Sequence, residues 1–162
     1  MNNSSLLEKK FFNFKSYENS DVFFLKKRQF ISHDNINDLA FLGCKKKKDL
    51  KICMHKGLND ELHNMINFLY KKKNYNPHLH DEDEVYQFIK GRLKIVLFNK
   101  KLKVQNIIIL NKKNPIIRVL KRTYHVTIPI GVFSVFHEIK KGPFNKSKTV
   151  ISKKIYSSKI KI

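Results

Sequence analysis

From residue 62 onward the chain alternates short apolar runs with polar or Gly/Pro/Asn breaks. The runs are rich in Ile, Val, Phe and Tyr, the residue types that fit a pleated, half-buried surface. They predict strands at 62–70, 85–89, 93–98, 104–110, 116–120, 125–130 and 133–139, with an earlier one at 50–54. Seven or eight short strands, with no helical period between them, predict an antiparallel barrel or double-sheet roll. Ahead of them, Asp34 followed by NINDLAFLG reads as a short capped helix. Asp34 is the expected N-cap, Ile36, Leu39, Ala40 and Leu42 the apolar stripe, and Gly43 the stop. Residues 1–28 keep no steady period and are expected to form an extension of uncertain order, with a short strand near 22–25. The domain reading is therefore an N-terminal extension (1–28), one domain (29–150) and a basic tail (151–162).

At 162 residues the chain suits one domain with one core. Cys44 and Cys53 do not make a disulfide framework, a four-cysteine zinc module or a Cys-x-x-Cys redox pair. Both read as reduced thiols. No run approaches the roughly 18–20 apolar residues of a membrane-spanning helix, and the start resembles no secretory signal. The cytoplasm is the expected location. The net charge of +21 raises the question of nucleic acid. The lysines, however, are spread along the whole chain beside abundant Asn and Ile, as A- and T-rich codon usage would give. Arginine, the better fork for bases and phosphates, is scarce. The preferred reading is a solvated lysine surface, pairs such as Lys140–Lys141 included, and not a nucleic-acid interface.

The chemistry lies in NPHLHDEDEVYQFIKG, residues 76–91. Side chains two apart on a strand share a face, so His78 and His80 can hold one ion between them. Glu84 opens the next strand after an acidic turn. Tyr86 and Phe88 share its parity and would line the same cavity if Glu84 faces inward, and Gly91 is expected at a hairpin turn. Two imidazoles and one carboxylate suit Fe(II), Mn(II), Zn(II), Ni(II) or Cu(II).

His78, His80, Glu84 and Gly91 fill the pattern His-x-His-x3-Glu-x6-Gly, and with it the chain resembles the cupin superfamily. Lys72 stands where that pattern usually begins with glycine. The resemblance implies an all-β fold, the cupin double-stranded β-helix or jelly-roll barrel, here with a short N-terminal helix. It also implies a metal held by the three motif side chains and a later histidine. The second cupin motif, Gly-x5-Pro-x-Gly-x2-His-x3-Asn, is degraded, and two registers compete. Reading Pro129-Ile130-Gly131 as its Pro-x-Gly puts Ser134 at the ligand position. Taking His125 as the ligand puts Leu120 and Arg122 at the proline and glycine, and Pro129 at the asparagine.

From Lys51 onward the chain is similar to the WbuC family of cupin-fold metalloproteins, in ICMHKGLNDELHNMINFL, in the motif stretch, and in TYHVTIPIGVFSVFHEIKKGPFN. Tyr124-His125, Ile128-Pro129, Phe136-His137-Glu138 and Gly142-Pro143-Phe144 follow that family's order and spacing. This resemblance implies His125 as the fourth ligand, a divalent Fe, Mn, Zn or Ni cofactor, and a link to bacterial O-antigen biosynthesis. A sugar or nucleotide sugar is then the expected substrate, with metal-assisted isomerisation or epimerisation the expected chemistry and a noncatalytic ligand-binding cupin the alternative. Dimers are common in the superfamily, so a homodimer is expected. Tyr86 is a catalytic candidate by parity alone. His55 and His63 read as ordinary polar strand positions, with His63 bordering the cavity as the alternative, His33 as surface and Cys53 as packing. Neighbours on a strand face opposite ways, so only one of His137 and Glu138 can turn inward. No phosphate loop, nucleophile elbow or Cys-His pair supports kinase or hydrolase chemistry.

Overall fold

The computed structural model describes residues 12–18, 20–26, 30–71, 76–144 and 150–151, the last pair by backbone alone. Residues 1–11, Lys72 and the rest of the basic tail, 152–162, lie outside the described residues. The elements run β1 (Phe12–Ser16), β2 (Ser20–Leu25), α1 (His33–Lys46), β3 (Asp49–Cys53), β4 (Leu62–Tyr70), β5 (His78–Leu79), β6 (Glu84–Phe98), β7 (Val104–Leu110), β8 (Ile116–Val119), β9 (Tyr124–Lys141) and β10 (Val150–Ile151).

Strands β1, β2, β3, β4, β9, β5 and β10 are neighbours in that order, while β6 pairs with β7, β8 and β9. All pairings are antiparallel except β2 on β3, which is parallel. Strands β1 and β2 thus form an antiparallel pair added to the edge of the sheet. Two pairs of expected strands are fused. Runs 85–89 and 93–98 form one strand, and so do 125–130 and 133–139. Gly91, expected at a hairpin turn, instead bends β6 in mid-course. Register shifts flank it, its φ is +81°, and a Cβ there would lie 2.7 Å from the Phe133 carbonyl oxygen. Glycine serves turns and bulges alike, so the sequence alone favoured the commoner use.

Helix α1 starts earlier and ends later than expected. Ser32, not Asp34, is the N-cap. Its hydroxyl accepts from the Asn35 N–H, and the Asn35 side-chain oxygen accepts from the Ser32 N–H at 3.1 Å. That reciprocal pair closes the first turn and leaves Asp34 inside it, where its charge complements the helix dipole. Gly43 does not stop the helix, because a Cβ there would run into the Phe68 ring. It admits close approach of α1 to the sheet, and the helix ends at Lys46, capped by Lys47 in a left-handed conformation.

Strand alternation then divides the sheet into two faces. Phe23, Leu50, Ile52, Ile66, Phe68 and Val135 point to the face covered by α1 and pack with Leu39 and Ala40 as the larger core. The other face carries Phe24, Cys53, Met65, Glu138 and Tyr86 as successive register partners across five strands. The polar chemistry is on that inner face.

Candidate metal centre

His78 lies on β5 directly opposite His125 on β9. His80 follows β5 on the same side, and Glu84 opens β6 opposite Lys140 of β9. Among the described residues, His78, His80 and His125 bring one ligand atom each within 4.8 Å of one another. The Glu84 carboxylate, buried to 1% exposure, lies with Oε1 3.2 Å from His80 Nε2 and Oε2 3.0 Å from His125 Nε2. Two donors about 2.1 Å from one cation, at right angles to each other, lie about 3.0 Å apart. The spacing is that of neighbouring ligands on a shared ion.

Hydrogen bonding fixes which nitrogens face inward. His125 Nδ1 is 2.9 Å from the Thr123 carbonyl and His78 Nδ1 is 3.4 Å from that of Asn76. A carbonyl only accepts, so each Nδ1 donates there and leaves Nε2 for the centre, the arrangement that orients metal-binding histidines. Burial lowers the His78 pKa to about 3, reinforced by His125 and His80, and burial lowers that of His80 as well. Neutral imidazoles beside an ionised carboxylate are the protonation states a metal requires. For Glu84, burial opposes ionisation, but its neighbours His125, Lys140 and His80 outweigh it and hold the carboxyl well below the usual range; with the imidazoles neutral, the Lys140 ammonium is the charge that does so. The donor set therefore fits a divalent cation.

Around this group lies a cavity of about 500 Å³ with His78, His80, Tyr86, Glu138, Lys140 and Asn67 in its wall. The Tyr86 hydroxyl donates to Glu84 Oε2 at 2.6 Å. Its burial, with Glu84 and Glu138 nearby, raises its pKa well above 10, so it faces the cavity as a neutral donor. Phe88 shares its parity but packs in the apolar cluster around Leu93 and Phe136.

The two residues that competed for the last ligand position lie in different places. His125 stands with His78 and His80, whereas Ser134 is buried opposite Gly91, its hydroxyl donating to the Arg92 carbonyl. Of the adjacent pair on β9, Glu138 turns inward and accepts from Asn67 Nδ2 at 2.9 Å. His137 turns to the other face and meets the Asn64 side-chain oxygen. His55 and His63 stack on one another away from the cluster, His33 is exposed, and Cys53 is buried among Val22, Phe24 and Met65. The sequence reading missed Lys140. Assigned to the solvated lysines, it is instead largely buried, with its Nζ 3.0 Å from Glu84 Oε1 and 3.3 Å from Glu138 Oε1. Period two counted from Glu138 carried the signal.

A domain-family profile described as a domain of unknown function, DUF6016, matches residues 45–110. No curated protein sequence matches the chain. Among solved structures, oxalate decarboxylase from Bacillus subtilis is similar over 64% of this chain and 27% of its own, at 14% identity and a TM-score of 0.50. Protein SO0799 from Shewanella oneidensis is 14% identical over 58% of this chain and 63% of its own, at a TM-score of 0.49. The DMSP lyase DddQ from Ruegeria pomeroyi is 14% identical over 58% and 44%, at 0.46. The chain thus spans less than two thirds of the length of each. The fold is the all-β cupin fold. No helix among the described residues is long and apolar enough to cross a membrane.

Proposed function

We propose that the chain is a metal-dependent cupin that holds a divalent Fe, Mn, Zn or Ni ion through His78, His80, Glu84 and His125 and acts on a small polar molecule. The observation that carries this reading is the convergence of three imidazoles within 4.8 Å, with one Glu84 oxygen 3.2 Å from His80 and the other 3.0 Å from His125. Bound there, the ion would supply Lewis acidity toward a substrate hydroxyl, keto or carboxylate oxygen. The chain's own residues do the rest. Tyr86 orients Glu84 by donating to it, and Lys140 supplies a fixed positive charge for a developing oxyanion. Glu138, held by Asn67 and Lys140, is the candidate for moving a proton. Isomerase or epimerase chemistry suits that set, and the similarity to WbuC supports a sugar or nucleotide sugar of bacterial O-antigen biosynthesis, handled in the cytoplasm.

The noncatalytic alternative draws support from the crowding of Glu84. Each of its oxygens has two protein partners, His80 and Lys140 on one, His125 and Tyr86 on the other. A cation so enclosed would serve recognition of a small ligand.

Metal quantification after anaerobic purification tests the reading. One equivalent of a divalent ion is expected, lost in both His80→Ala and His125→Ala and kept in Ser134→Ala. Retention in His125→Ala with loss in Ser134→Ala would refute the assignment. Turnover of a keto or hydroxy sugar in a substrate panel separates the enzyme from the binding protein.

A further inference from the structure

A second chamber of about 300 Å³ adjoins the metal cavity on the same face of the sheet. Lys140, Lys51, Ser20 and Phe144 line both. The register shows how one leads into the other. Tyr86 pairs with Glu138, Glu138 with Met65, Met65 with Cys53 and Cys53 with Phe24, a single row from the metal cavity to β2, the strand next to the edge. Along that row the side chains change from polar to apolar at β4. Beyond Glu138 the apolar part of the wall is Met65, Cys53, Phe24 and the adjacent Val22, all buried, flanked by the stacked rings of His55 and His63 at a centroid separation of 4.2 Å, with Lys51 and Lys140 as the charged groups in the lining.

Those two imidazoles do not form a second polar site. His63 Nε2 lies 3.1 Å from the Leu58 carbonyl and His55 Nδ1 accepts from the Asn64 N–H at 3.2 Å. Burial, with His63 beside it, lowers the His55 pKa and keeps it neutral. Nor is Cys53 a nucleophile, since burial pushes its thiol up to about 12. What the chamber offers is apolar and aromatic surface next to a chelating centre. A bare monosaccharide would leave it unfilled.

The geometry points to a two-part ligand: a polar, metal-chelating head at the three-histidine centre and an apolar tail, alkyl, acyl or aryl, in the chamber walled by Val22, Phe24 and Met65. Lys140, which lines both spaces, stands where the head and the tail would join. This rests on the metal reading above and narrows its substrate to polar compounds carrying such a tail.

Hydroxamic acids of increasing length separate the two ideas, because the head chelates while the tail varies. The full chain, loaded with Mn²⁺ or Ni²⁺ and checked for stoichiometry, is titrated with acetohydroxamic, butanohydroxamic and octanohydroxamic acid by calorimetry. Octanohydroxamic acid is expected to bind at least tenfold more tightly than acetohydroxamic acid. Met65→Phe and Val22→Phe, which fill the chamber, should each remove most of that gain while the metal stays bound. Met65→Ala, which enlarges it, should keep the gain. Failure to take up metal would refute the underlying reading and this one with it, and is seen before any hydroxamate is added. Metal and acetohydroxamic acid bound, with no gain from the tail, would overturn the two-part ligand alone. A gain undiminished in both filled variants would overturn it too, by placing the tail elsewhere.

Discussion

Phe68 and Asn67 are neighbours on β4, yet they belong to different regimes. The Phe68 ring is fully buried beneath α1, against Gly43, among apolar side chains of β2, β3, β4 and β9. Asn67 is also buried, but it reaches Glu138 across a polar cavity. Each face has an ion cluster as well. Asp21, where β2 meets the end of α1, takes Lys46 at 2.6 Å and Lys48 at 2.7 Å. Glu84 on the inner face takes Lys140 and two histidines. The first cluster docks one helix end and is complete. The second sets a carboxylate and imidazole nitrogens together, groups that a shared cation would reconcile. One sheet can thus keep its stability on one face and its chemistry on the other.

That separation can be broken in order of expected effect. Phe68→Ala removes the centre of the helix-covered core and should cost about 3–5 kcal/mol in urea unfolding, with metal stoichiometry per folded molecule unchanged. Asp21→Asn should cost about 1–3 kcal/mol at neutral pH. Burial would raise the Asp21 carboxyl, but hydrogen bonds from Lys46, Lys48 and Ser16 outweigh it and hold the pKa at about 2. An unfolded aspartate titrates near about 3.9. The contribution is therefore full above about pH 4 and fades as pH falls toward 2, so the difference between wild type and variant should close over that window. On the inner face, Tyr86→Phe removes only the hydroxyl that orients Glu84, and cation affinity measured by titration should fall about 10–100-fold with little change in the unfolding midpoint. Arg118→Ala sharpens the contrast at its weakest. This exposed partner of Asp83 in the acidic turn should alter neither unfolding nor cation binding measurably.

Several parts of this arrangement were legible before any coordinates. Strands β4 and β7 match the apolar runs residue for residue, because alternation and turn residues are local signals. His78 and His80 were placed on one face by spacing, since strand geometry forces it, whereas the inward turn of Glu84 depends on how β6 pairs with β9. Gly91 and Gly43 were misread because a glycine signals freedom of backbone or closeness of approach without saying which, and the Phe133 carbonyl and the Phe68 ring that decide it lie far along the chain. Ser32 was passed over because Asp34 is as good a cap by type. The reciprocal bond with Asn35 is what selects it.

By itself the sequence determined the all-β architecture, the short helix and the face shared by His78 and His80, since each depends on residues close together in the chain. Tertiary structure alone decided that β9 brings His125 and Lys140 to β5 and β6, that Ser134 turns away, and that an apolar chamber lies beside the charged one. Those outcomes depend on register between strands tens of residues apart, and pairing energy is settled only when the whole sheet closes.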